Sequence, residues 1–454
     1  MHDWLEAEQA AERAQQFYEA GQWDKAVAAL EIALSVNPDQ SDWHFGKGMA
    51  LDAMQRYSEA ADSFEQVVRL RGEQVDPMLR LGVDLIRSQQ PQRAVGVLER
   101  VLELDPAADQ ARCYLIKAYA LTDEHDKAEE TYYLAQQQHG DEACPLCLDH
   151  IAYSLYARDQ LDKAGWCWRQ VEKLSPRHED VHANQARVAW RQGRLEEARD
   201  LYLRQLREEP GHLDVLLQCG RLLLVMGHFP EAGEKFRRIV ELDPTIADAH
   251  YHLGELALRS GHLDAAAGQF EMAGRLAPEL PGVHLNLAAV AVLRRKPHDA
   301  LEQLDQELAL EGQSGQQVID MARLLVELDA PEKAIDLMQP ILSGRTEPLF
   351  DDEAQLAEAL LCRGVALVLA GETDEAIADF RLTLQLSPRH EPALYNLVVA
   401  YHDQHRHARA RAVLRRALEV SPDDADLRHL AQRLRRDQWV QRVRAAWAKL
   451  TRRG

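Results

Sequence analysis

No stretch of the sequence approaches the roughly 18 consecutive apolar residues of a membrane-spanning helix. The N-terminus, Met-His-Asp-Trp-Leu-Glu-Ala-Glu, lacks the basic segment and the apolar core of a secretory leader. A soluble, cytoplasmic chain is therefore the expectation. Cysteine is scarce: six in 454 residues do not make a disulfide framework. Positive charge is outweighed, with 53 Lys and Arg against 74 Asp and Glu and a formal net charge of −21. That balance argues against generic nucleic-acid binding, where a basic footprint supplies most of the affinity. The sequence also has no Gly-rich phosphate loop leading into Lys-Ser/Thr, no nucleophile elbow and no dinucleotide fingerprint. Neither an enzyme nor a cofactor is expected.

What is present is a period. An Ala flanked by apolar residues falls at Ala26, Ala60, Ala94, Ala128, Ala164, Ala198, Ala232, Ala266, Ala300, Ala334, Ala376 and Ala410. The steps are 34 residues except for one of 36 and one of 42. A Pro recurs twelve residues after it, as at Pro38, Pro106, Pro244 and Pro388, and a small residue twelve before it, as at Ala14, Gly48, Gly82, Gly254 and Gly364. Between these marks the apolar residues keep helical spacing. In the unit ending at Pro244, Leu216, Leu217, Leu223 and Leu224 belong to a first helix and Phe236, Ile239 and Val240 to a second. The small residue and the Ala let paired helices approach closely. Gly21, Gly193, Gly227, Gly261 and Gly371 fall between the helices, where a left-handed residue ends the first one. The Pro stops the second helix and opens the next unit.

A helix–turn–helix unit of this length and pattern resembles the tetratricopeptide repeat (TPR) family. The stretch 247–278 carries the resemblance well, with Gly254, Gly261, Ala266, Phe270, Ala273 and Pro278 on family positions. It covers residues 7 to 422, with departures at Gly72 and Gly140, which replace the closing Pro. The resemblance implies an all-α, right-handed superhelical solenoid with a C-terminal capping helix. Residues 7–342 would hold repeats one to ten, 343–356 an irregular linker and candidate hinge, and 357–422 repeats eleven and twelve. Residues 423–454 would form the capping helix and a basic amphipathic tail.

Three motifs invite a chemical reading. His178-Glu179-Asp180-Val181-His182 matches the zinc-hydrolase pattern H-E-x-x-H, which needs both His on one helix. Pro176 closes a repeat here, so the match straddles a turn, and the same Ser-Pro-Arg-His-Glu word recurs at 387–391. Cys144-Pro-Leu-Cys147, with His139 and His150 nearby, resembles half a zinc site or a thiol pair, and Cys147 falls in a first helical turn. Lacking a second pair and a βαβ context, these cysteines are read as small, partly buried residues at an irregular junction. His390, His402, His405 and His407 have no metal-ligand spacing and read as a solvated turn.

In the TPR family the first helix of each repeat lines an inner groove. Carrying that over residue by residue places Val83, Arg87, Lys117, Leu121, Tyr153, Ala157, Arg187, Arg191, Arg221, Val225, Glu255 and Arg259 at inner positions, with Tyr156, Trp190 and Tyr251 nearby. Arg87, Lys117, Tyr153, Tyr156, Arg187, Trp190, Arg191, Arg221, Tyr251 and Arg259 form the candidate partner-binding set. Cations beside aromatics suit an acidic, partly apolar peptide or a C-terminal carboxylate. The helix dipole gives a competing account, since basic residues are favoured near helix C-termini and Asp42, Asp76, Asp180, Asp214 and Asp248 sit near helix starts. Residues 428–454 carry a net charge of +8, leaving −29 on residues 1–427. Trp439, Arg442, Arg444, Trp447, Lys449, Arg452 and Arg453 in that tail suit an anionic membrane or an acidic partner. The functional expectation is a scaffold or adaptor that binds other proteins. The alternative is a peripheral-membrane assembly factor for an envelope or secretion apparatus, tethered by the tail.

Overall fold

The computed structural model describes residues 2–139, 144–176, 178, 180–343, 349–350 and 352–433. These residues hold twenty-five α-helices and no strand. The chain divides into two compact units, Met1–His228 and Phe229–Gly454. The first contains α1 His2–Glu19, α2 Trp23–Val36, α3 Ser41–Ala53, α4 Tyr57–Arg71, α5 Val75–Arg87, α6 Pro91–Leu104 and α7 Asp109–Leu121. It continues with α8 His125–His139, α9 Pro145–Ala157, α10 Leu161–Leu174, α11 Val181–Arg191, α12 Leu195–Glu208 and α13 Leu213–Val225. The second contains α14 Phe229–Leu242, α15 Ala247–Arg259, α16 Leu263–Leu276, α17 Val283–Leu293, α18 Pro297–Leu308 and α19 Gly315–Glu327. Then follow α20 Pro331–Leu342, α21 Glu353–Leu369, α22 Thr373–Leu386, α23 Glu391–Asp403 and α24 His407–Val420. A further helix starts at residue 425, where Asp424 accepts the Leu427 N–H at 2.9 Å.

Every repeat turns in the same way. The residue between first and second helix has positive φ at twelve positions: the five glycines expected, plus Gln55, Gln89, Asp123, Asp159, Arg295, Asp329 and His405. The next N–H then returns to the carbonyl five residues back, as Gln90 to Leu85 at 2.8 Å and Lys296 to Ala291 at 2.9 Å, which satisfies carbonyls at the helix end. The closing Pro carbonyl is also used. The side chain six residues on hydrogen-bonds it, through His44 to Pro38 (2.8 Å), His250 to Pro244 (3.1 Å) and Arg428 to Pro422 (3.0 Å).

The helix pair itself is a small residue set on a large one sixteen residues later. A Cβ on Gly48, Gly82, Gly254 or Gly364 would lie 2.8, 2.6, 2.7 or 2.5 Å from Phe64, Leu98, Phe270 or Phe380. Those large side chains are fully buried. In the first unit one apolar core runs continuously from α2 into α11. In the second unit the core crosses the 343–353 segment: Ala334 and Met338 share it with Ala359, Cys362 and Ala366, and Leu349 and Phe350 pack against it. Residues 344–348 and 351 of the candidate hinge lie outside the described residues. Leu427 and Leu430 close the last repeat against α23 and α24.

Two buried carboxylates of the second unit are paired between elements. Glu307 is fully buried and accepts the Gly282 and Leu285 N–H groups at 2.6 and 3.1 Å, capping α17. Asp379 is bound by Arg363 through two bonds of 2.8 and 2.7 Å.

One junction departs from the pattern. Of the two helices of the preceding repeat, α9 packs more on α7 than on α8. Cys147 of α9 is bonded to Cys113 of α7, with Cα atoms 4.8 Å apart. The expectation that the cysteines are merely small buried residues is thus corrected. They could not be paired from sequence because the 36-residue step shifts the register between these two repeats.

Candidate partner-binding groove

The odd-numbered helices touch one another as well as their even-numbered partners. The contacts are α1 with α3, α5 with α7 and α7 with α9 in the first unit, and α15 with α17, α17 with α19, α19 with α21 and α21 with α23 in the second. Their open sides form one face in each unit.

In the first unit this face has a cleft of about 740 Å³ between α1 and α3, with Leu30 of α2 at its base. Tyr18, Trp43, Phe45 and Met49 line it, all half-buried, beside Gln15 and Asp42. Phe45 stacks edge-on against Phe64, their centroids 5.6 Å apart, which holds this wall in place. The candidate set began at the third repeat and missed these residues. Tyr18, Phe45 and Met49 stand at the same inner register positions, so the pattern that gave Arg87 reaches them too.

Next along the face is a polar pocket of about 170 Å³ framed by Asp52, Asp76, Arg80, Val83, Asp84, Arg87 and Tyr114. Arg87 is not free there. It donates to Asp52 at 2.7 Å, lies 3.7 Å from Asp84 and covers the Tyr57 ring at 5.1 Å. Burial, reinforced by the Asp52 charge, pushes the Asp84 carboxyl up to about 7.

A third cluster joins α9, α10, α11, α12 and α13. Tyr153 and Tyr156 pack their rings on the buried Trp168, with centroids 5.4 and 6.1 Å away. Asn184 donates to the Tyr153 hydroxyl at 2.9 Å and accepts from Arg187 at 3.1 Å. Arg191 donates to the Tyr156 carbonyl at 3.0 Å, pairs with Asp159 at 3.0 Å and covers the Tyr156 ring at 4.7 Å. Arg187 and Arg221 both lie within electrostatic reach of Tyr202, whose buried hydroxyl has no hydrogen-bond partner among the described residues. Arg221 itself is exposed, and Trp190 is half-buried. Lys117 lies near Asp149 and His150.

The second unit holds Tyr251 and Arg259. Asn286 donates to the Tyr251 hydroxyl at 3.1 Å, matching the Asn184–Tyr153 bond, and Arg259 covers the Phe229 ring at 4.4 Å. Arg87 and Arg259 thus perform one task thirty residues along from their aromatic partners: each seals the preceding repeat.

The H-E-x-x-H match dissolves. α11 begins only at Val181, after Asp180 in the left-handed region, so His178 precedes the helix that carries His182. His182 faces Glu172 and Glu208 at 3.9 and 3.6 Å. Glu179 lies outside the described residues. So do Trp439, Arg442, Arg444, Trp447, Lys449, Arg452 and Arg453 of the tail. No helix among the described residues is long and apolar enough to cross a membrane.

A tetratricopeptide-repeat family model matches residues 11–74, 79–143, 151–212 and 217–281, and a second tetratricopeptide-repeat model matches 367–434. No curated protein matches. Among solved structures the chain is similar to the APC/C hetero-tetramer Cut9–Hcn1, at 15% identity over 93% of this chain and 95% of that one, with a TM-score of 0.46. It is also similar to yeast Tom70, at 15% identity, 96% coverage of both chains and a TM-score of 0.43. The likeness to pilF of Pseudomonas aeruginosa has 21% identity, covers 45% of this chain and 93% of that one, and has a TM-score of 0.40.

Proposed function

The chain belongs to the tetratricopeptide repeat family, and from that premise we propose that it is a protein-binding scaffold whose first unit takes partner segments along the face of its odd-numbered helices. The observation that carries this reading is the cleft between α1 and α3, where Trp43, Phe45, Met49 and Tyr18 leave about 740 Å³ open to solvent. A pocket walled by half-buried aromatics suits an apolar anchor residue, the kind of contact that dominates binding energy at interfaces. Arg221, exposed on α13, and Arg187 beside it on α11 supply the place for an acidic residue of the partner. Arg87 and Arg191 contribute less to capture, because their charge is already met by Asp52 and Asp159.

The test is affinity capture with the full chain as bait, read by mass spectrometry, followed by titration of a captured segment. The Trp43→Ala and Met49→Ala pair should weaken binding at least tenfold, about 1.4 kcal/mol or more. Arg187→Glu with Arg221→Glu should abolish capture of acidic partners, whereas Arg191→Ala should change it little. Capture that survives both the aromatic and the charge-reversal variants would remove this face from consideration.

A second reading rests on the basic tail. Its Trp and Arg/Lys residues favour peripheral attachment to an anionic membrane, in which case the array would present its partners at that surface.

A further inference from the structure

Three sulfurs meet at the irregular junction between α7 and α9. Cys113 lies on α7, Cys144 is the N-cap of α9 and Cys147 is in its first turn, and the three Sγ atoms all lie within 4.8 Å of one another. Cys113 and Cys147 are joined as a disulfide, and both are buried. Cys144 is free and half-buried, with its Sγ 3.6 Å from that of Cys113. Ligand sulfurs about 2.3 Å from a tetrahedral zinc ion stand about 3.8 Å apart. The Cys113–Cys144 separation already matches that spacing.

The surroundings suit thiolates. The Cys147 N–H points at Cys144 Sγ, 3.5 Å away, and the N-terminus of α9 directs its dipole at both cysteines. One turn further on, His150 donates from Nδ1 to the Cys113 carbonyl at 2.6 Å. That bond ties α7 to α9 independently of the disulfide, so the ligand positions hold when the sulfurs separate. Cys144 is the most accessible of the three, and a zinc ion held by three thiolates takes a further ligand or water in its fourth position.

We propose that in the reduced protein Cys113, Cys144 and Cys147 form a three-thiolate zinc site, and that the Cys113–Cys147 disulfide is the oxidised form that closes it. Reduction by a dithiol supplies two electrons and two protons, breaks the S–S bond and leaves the reductant as a cyclic disulfide. Zinc then binds as the three thiols release their protons. In the zinc-free protein, exchange with a small-molecule disulfide, which takes up the two electrons and two protons and leaves as two thiols, re-forms the Cys113–Cys147 bond.

The full-length chain tests this directly. After reduction with a phosphine and removal of the reductant under argon, zinc is titrated in competition with a chromophoric chelator. The expected result is one tight site per chain, and none in the oxidised protein. Cobalt(II) in place of zinc should give a thiolate-to-metal charge-transfer band with an intensity corresponding to three sulfurs. Cys144→Ser should weaken zinc binding at least ~100-fold and lose one third of that band. A variant with Cys167, Cys219 and Cys362 all changed to Ala should retain the site. Reduced wild-type protein that has free thiols at the cluster but binds no zinc would overturn the proposal. So would binding left unchanged by Cys144→Ser, or a cobalt spectrum without thiolate bands, a reading on the wild-type fold.

Discussion

A single side chain shows how far a residue's role can depart from what its type suggests. Asp84 is only 2% exposed, and its Oδ2 has no hydrogen-bond partner among the described residues. Asp52, Arg80 and Arg87 are the charged groups around it, and desolvation outweighs the two arginines, which raises its pKa from 3.8 to about 7. The folded chain therefore holds this proton over a range where the unfolded chain has released it. By linkage, its contribution to stability is greatest at and below pH 4, falls as the pH rises through about 7 and is flat above that. Asp84→Asn should flatten that part of the profile. It should stabilise the first unit by about 1–3 kcal/mol at pH 8 and change little at pH 4. Urea midpoints followed by circular dichroism across this range would decide it, and an unchanged slope in the variant would assign the pH dependence elsewhere. None of this was legible in the sequence, where Asp84 is one acid among 74. The inner register placed Arg87, Arg191 and Arg259 on the right helices. It could not show that two of them meet carboxylates about one repeat back and that all three cover an aromatic ring of the preceding repeat.

Between elements, the rule that was legible is small on large, because a missing side chain is itself written in the sequence. The large partner sixteen residues later is Phe, Leu, Met, Trp or Tyr in different repeats, so the pair rather than either residue is the packing unit. Gly254 with Phe270 corresponds to Ala288 with Leu304 one repeat later, where both residues are fully buried in one core. Gly254→Ala alone forces a methyl group to 2.7 Å from the Phe270 ring and should cost about 1–3 kcal/mol. Phe270→Leu alone leaves a void and should cost about 1–2 kcal/mol. Combined, they rebuild the Ala–Leu arrangement, so the double variant should be more stable than the sum of the single losses predicts by ~1 kcal/mol or more. Strict additivity in a double-mutant cycle would mean that the two sites do not share the contact. The turns were half legible. Glycine announced five of them, whereas Gln55, Gln89 and Arg295 take the same left-handed conformation because the flanking helices and the returning hydrogen bond impose it.

At the scale of the chain, a period of 34 residues revealed the all-α repeat architecture but not the division between His228 and Phe229, since nothing in the spacing changes there. The longer step did coincide with a structural irregularity, the α7–α9 junction, although the disulfide in it was invisible to a register that two extra residues had shifted. Charge is the other whole-chain property, and it is divided unevenly: −29 on residues 1–427 and +8 on 428–454. The start of that basic segment acts as a cap, where Leu427 and Leu430 share the core of the last repeat. The remainder, 437–454, lies outside the described residues and carries five cations and two tryptophans, which we take as a surface segment rather than part of the cap. Its removal should therefore leave the unfolding midpoint of the array within about 0.5 kcal/mol, as for surface changes away from packed elements. It should also lower co-sedimentation with phosphatidylserine vesicles at least tenfold at low salt, since each cation near such a surface contributes about 1 kcal/mol. Raising the salt should weaken binding of the full chain as the Debye length shrinks. If the truncated chain sediments with vesicles as the full chain does, the tail is not the attachment. If it loses stability, the segment packs on the acidic array, and the charge asymmetry holds the molecule together rather than directing it to a surface.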